Sequence, residues 1–129
     1  MSNKQQKMVE WILRIGVAGE FLGHGMLGLQ AKAQWVTWIQ QITGADAILA
    51  GQLIVLIGLL DVFVAIVVLL RPIKIVVLWA ALWGFWTALL RPLVGEAIWD
   101  FVERFANWGA PLSLLLLLGW PRKFKEWLR

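Results

Sequence analysis

The stretch AILAGQLIVLIGLLDVFVAIVVLL, Ala47 to Leu70, decides the fold, because it is apolar throughout except for Gln52 and Asp61. Bilayer hydrocarbon is roughly 30 Å thick, and a helix of about 20 apolar residues crosses it. Residues 47–70 meet that length and predict a transmembrane helix. Just before them, Thr43-Gly44-Ala45-Asp46 breaks the chain and offers Asp46 as the cap of the new helix.

On the N-terminal side, residues 8–29 form a first span interrupted by Arg14, Glu20 and His24, and the polar start gives no sign of a cleaved leader. Between these two spans, residues 32–43 place Trp35, Trp38, Ile39 and Ile42 on one helical side and Gln34, Thr37, Gln40 and Gln41 on the other. That pattern predicts an amphipathic helix in the membrane interface, anchored by Trp35 and Trp38. On the C-terminal side, Arg71-Pro72 makes a turn. Residues 73–90 follow as a third span, closed by Arg91-Pro92. Residues 97–120 are expected to form one helix, amphipathic in its exterior part, with Asp100 and Arg104 spaced for pairing and a kink near Gly109 to Pro111. Trp120 is a further interfacial anchor.

The sequence therefore predicts an all-α integral membrane four-helix bundle. It runs up-down-up-down as a single domain over residues 1–129, with amphipathic interfacial helices in the two exterior loops. Four spans put both termini on one side. Lys4, Lys7, Arg71, Lys74, Arg122, Lys123, Lys125 and Arg129 would share that side, against Lys32, Arg91 and Arg104 on the other, which predicts cytoplasmic termini. Composition agrees: of the 129 residues, 60% are hydrophobic and 16% charged, and ten are Trp. A soluble domain has about 25% charged residues. The basic residues sit at helix ends rather than in one run with aromatics, which argues against nucleic acid as a partner. The chain has no Cys, so thiolate metal sites and Cys-based redox motifs are excluded.

Charged groups inside a span cost at least about 2.5–3.5 kcal/mol each and need a partner or a purpose. Arg14, about 5 Å above the cytoplasmic edge, can snorkel as an anchor. Glu20 and Asp61 both come out about 14 Å above that edge and could face each other. His24 stands one turn beyond Glu20 on the same face. Glu20, His24 and Asp61 are thus the candidate proton-handling or quinone-contacting cluster, with a purely structural pinning of helix register as the other reading. Gly16, Gly19, Gly23 and Gly28 give the first span a small surface suited to close packing. His24 is also the one possible axial ligand for haem or bacteriochlorophyll, but a lone His cannot ligate haem from both sides, and Glu20 competes for its free nitrogen. The Glu-x-x-His repeats of a di-metal bundle are missing, so no metal is expected. Trp79, Trp83 and Trp86 share a face of the third span, which reads either as a contact with another subunit or as the lining of an aromatic slot.

Leu13-Arg14-Ile15-Gly16, Phe21 with His24-Gly25, Asp61, the Arg71-Pro72 turn and the stretch Glu103-Arg104-Phe105-Ala106-Asn107 before a leucine-rich last helix make the chain resemble the DoxX family of small four-helix membrane proteins. The resemblance covers nearly the whole chain. It implies a bacterial or archaeal inner membrane protein, in some members linked to quinone-dependent membrane oxidoreductases. The expected role is a small subunit or accessory of a larger redox-linked complex of respiratory or photosynthetic type. The alternatives are a quinone-linked oxidoreductase component using Glu20, His24 and Asp61, or a small homo-oligomeric transporter or channel. No catalytic motif is present, which is why the accessory role leads.

Overall fold

The computed structural model covers residues 1–129 and is 81% helical with no strand. Its elements are α1 (Asn3–Leu29), α2 (Ala33–Thr43), α3 (Ala47–Leu70), α4 (Lys74–Leu93), α5 (Ile98–Val102), α6 (Phe105–Leu117) and α7 (Phe124–Trp127). Three helices, α1, α3 and α4, are long and apolar enough to cross a membrane, with mean hydropathies of 1.2, 3.2 and 1.5. The first starts earlier than its apolar stretch, because Ser2 and Gln5 form a capping box that carries the polar Asn3 to Lys7 into the helix. Asp46 caps α3 as expected, accepting the Leu49 amide at 2.8 Å, and Gly44 ends α2 in the left-handed conformation at φ 71°.

Two boundaries differ from the reading of the sequence. Helix α4 does not close at Leu90 but runs through Arg91 and Pro92, and Val94 caps it on the carbonyls of Leu90 and Arg91. Near a helix end, a proline forfeits one backbone bond without having to bend anything beyond it. The last helix is not a single rod kinked at Gly109 to Pro111. The chain breaks instead at Glu103–Arg104, between α5 and α6, while Pro111 is buried inside α6. Proline cannot donate to the carbonyl four residues back, which frees the Asn107 carbonyl. That carbonyl packs on α4 at Gly84, where a Cβ would collide with it. The kink expected at Pro111 is replaced by a helix contact that only glycine allows. At 13 residues, α6 is about 20 Å long.

Helix α3 lies antiparallel on α1, pinned where Gly25 meets Gly58 and Val62 and where Gly28 meets the Gly58 and Ile54 backbone. Gly19 and Gly23, expected to serve close packing, have open space around them, as does Gly16. Helix α6 packs on α4 and α1, whereas α3 and α4 meet only sparsely. The common core is Val17, Phe21, Val64, Val68, Val77, Leu114 and Leu115 with small residues between them. It fills the half of the bundle that holds both chain ends: the Lys74 amide donates to the Arg129 carbonyl at 3.2 Å. Towards the other end α3 and α4 diverge, while α1 stays on α3 and α6 on α4.

Arg14 belongs to the core half and does not snorkel. It is 8% exposed. Its Nε donates to the Val68 carbonyl at 3.3 Å and its Nη2 to the carbonyls of Leu69 and Leu70. Nη1 pairs with Glu10 at 3.2 Å, and the guanidinium stacks on Trp11 at 4.1 Å. The last turn of α3 has carbonyls with no helical partner, and a cation is stabilised there. Arg14 is held inward for that reason.

Candidate functional site

Where α3 and α4 part, a cavity of about 260 Å³ opens beneath α2. Each element contributes at a helical spacing: Ile54, Ile57 and Asp61 from α3, Trp83, Trp86, Thr87, Leu90 and Arg91 from α4, and His24 from α1. Trp35, Trp38 and Ile39 of α2 roof it, and Arg104 and Asn107 close the side formed by the α5–α6 break.

The apolar side of α2 is therefore turned into the bundle rather than towards lipid. Trp38 is buried, and the indole of Trp35 meets the His24 ring edge-on at 5.7 Å. An amphipathic helix buries its apolar face against whatever apolar surface is nearest, and here the diverging helices provide it. Trp35 and Trp38 thus cover the cavity instead of acting as lipid-facing anchors. Trp120 is 53% exposed and packs edge-on against Trp127. Gln34 ties α2 to the loop after α4 by donating to Glu96 at 3.5 Å.

At the deep end stands Asp61, 4% exposed, with Oδ1 fully buried and without a hydrogen-bond partner. The register set by Gly25 and Gly28 against Gly58 puts Asp61 opposite His24, and both line the cavity. Glu20 is half-buried and within electrostatic reach of Asp61. It lies one turn closer to the chain ends and does not line the cavity. The structure thus brings two of the three candidate residues onto one wall. No group of three or more His, Cys, Asp or Glu is gathered that could hold a metal ion.

Trp79 and Trp86 are exposed, at 39% and 40%, and Trp83 between them is half-buried. Trp83 and Trp86 line the cavity. Trp79 stacks on Trp83 at 5.4 Å, with the rings 12° from parallel, and lines an open apolar groove between α3 and α4 with Leu60, Phe63 and Ile75. A second aromatic cluster, Phe85, Phe101, Phe105 and Trp108, braces the α5–α6 elbow from α4.

Sequence reasoning did not anticipate Arg91 and Arg104 as cavity residues. Arg91 lies over the Trp38 ring at 4.7 Å, and its Nε is buried without an acceptor. The expected Asp100–Arg104 pairing of side chains does not form. Arg104 Nη1 donates instead to the Asp100 backbone carbonyl at 2.8 Å and to the Glu103 carboxylate. Clustered cations among tryptophans at the ends of two spans were the available signal. Comparison of the chain with protein-family models, with curated proteins and with solved structures finds no match.

Proposed function

We propose that the protein is a small four-crossing subunit of a redox-linked membrane complex, and that the deep part of its cavity receives the ring of a quinone. The reading rests on one observation: the buried Asp61, whose Oδ1 has no partner, lines a cavity that four tryptophans also line. A buried acceptor left unpaired costs about 1–3 kcal/mol. A ligand hydroxyl donating to Oδ1 removes that cost. Trp83 and Trp86 supply flat apolar walls for a ring, and the His24 imidazole stands opposite Asp61 as a second polar contact. Bound there, a quinone supplies paired electron and proton carriage. Asp61 would hold or release the proton at its oxygen, and the α2 roof keeps water out.

The resemblance to the DoxX family supports a bacterial or archaeal inner membrane and a place beside an oxidoreductase. The fourth crossing is made by α5, α6 and the segment after it, and the excess of Lys and Arg at the end holding both termini favours the cytoplasmic side for that end. Titration of the purified protein with a short-chain ubiquinol, the reduced form whose hydroxyls can donate to Asp61, tests the site. Tryptophan fluorescence should quench saturably, and Asp61→Asn should weaken binding about tenfold, the cost of one hydrogen bond to a charged group. Equal, unsaturable quenching of both proteins would overturn the quinone site. Purification in mild detergent should recover larger partners, and a lone monodisperse chain counts against the subunit role.

A further inference from the structure

The open end of the cavity has a chemistry of its own. Arg91 and Arg104 both line it, and Lys32 stands nearby with its Nζ 5.1 Å from the Trp35 ring. Three cations gather there. The chain's two salt bridges are Arg14–Glu10 and Arg104–Glu103, so Arg91 has no carboxylate partner. The acids of this region turn elsewhere: Glu103 pairs with Arg104 from a side chain 60% exposed, Glu96 accepts from Gln34, and Asp100 meets Arg104 through its backbone carbonyl. None of the three lines the cavity. Asp61 does not neutralise the group either, since Arg91 is about two turns beyond Trp83 and stands near the end of α4 while Asp61 is level with His24.

Two buried donors without acceptors stand at this end, Arg91 Nε and Trp35 Nε1. Stacking on Trp38 fixes the plane of the Arg91 guanidinium and leaves its edge free. A planar fork with a free edge matches the oxygens of a phosphate. The site lies at the ends of α1 and α4, where the lipid head groups begin when those helices span the membrane.

We infer that the Arg91–Arg104 mouth of the cavity binds a phosphate-bearing anion, either the head group of an anionic lipid or free phosphate. The two arginines hold its oxygens, and a lipid held this way lays its chains along the apolar outside of the bundle. The inference does not depend on a quinone in the deep end, because it uses none of Asp61, Trp83 or Trp86.

The test is calorimetric titration of the purified full chain with dihexanoyl phosphatidylglycerol below its micelle concentration, with inorganic phosphate, and with neutral dihexanoylglycerol. Saturable binding of the phosphatidylglycerol, at least about tenfold tighter than the neutral glyceride, identifies a lipid head group. Equal binding of inorganic phosphate identifies the free anion. Arg91→Gln and Arg104→Gln should each weaken binding about tenfold, the loss expected for one charge-assisted hydrogen bond, and Asp61→Asn should leave it unchanged. Equal affinity for the charged and neutral glycerides with no response to phosphate overturns the proposal on the wild-type protein alone, whatever the variants' folding. Arginine variants that fold and bind as tightly as the wild type overturn it as well.

Discussion

Arg14 and Asp61 are both ionisable, both buried and both on helices long and apolar enough to cross a membrane, yet their surroundings are opposite. Arg14 has an acceptor for each of its nitrogens and a tryptophan against its face. Asp61 has an oxygen with none. The first sits in the half of the bundle where Val17, Val68 and Leu114 close the core, the second in the half where the helices part. A buried charge that is fully partnered belongs to the fold. One that is left waiting points to something outside the chain.

Substitutions can break that contrast. The largest effect is expected for Arg14→Met, which strips three carbonyls at the end of α3 and the Glu10 carboxylate of their donor. Removing one partner of a buried charged network costs about 3–5 kcal/mol, measurable as a fall in the unfolding midpoint in detergent. Gly84→Val forces a side chain into the Asn107 carbonyl and should cost about 1–3 kcal/mol by overpacking. It should also loosen the cavity wall, seen as faster hydrogen exchange in α6. Asp46→Ala removes the α3 cap for about 1 kcal/mol. Asp61→Asn should be the mildest, within about 0.5 kcal/mol of wild type or slightly stabilising, because it removes a charge that no protein group satisfies. A large loss of stability in that variant would erase the distinction between the two halves.

The long apolar helices at Ala47 to Leu70 and on either side of it were legible because length and apolarity are properties of the sequence itself, and the Asp46 cap because its bond is local. The inward turn of Arg14 was not, since its acceptors lie 54 to 56 residues away and depth along one helix says nothing of what a neighbour presents. The direction faced by α2 was hidden for a related reason: periodicity shows that Trp35 and Trp38 share a side, and only the divergence of α3 and α4 decides whether that side meets lipid or cavity. Asp61 and His24 were found from the rarity of polar groups in a span. Arg91 was not, because a basic residue near a helix end reads equally well as a snorkelling anchor.

The Arg14 contacts also bear on how a chain with such helices would enter a membrane. The guanidinium is carried by the first helix to be made, and every carbonyl that receives it belongs to a helix synthesised later. Until Val68 to Leu70 arrive, the side chain has only Glu10 and Trp11 for company, and its burial in hydrocarbon is opposed. On insertion into a bilayer, α1 would therefore reach its final depth together with α3, the arginine tying the two.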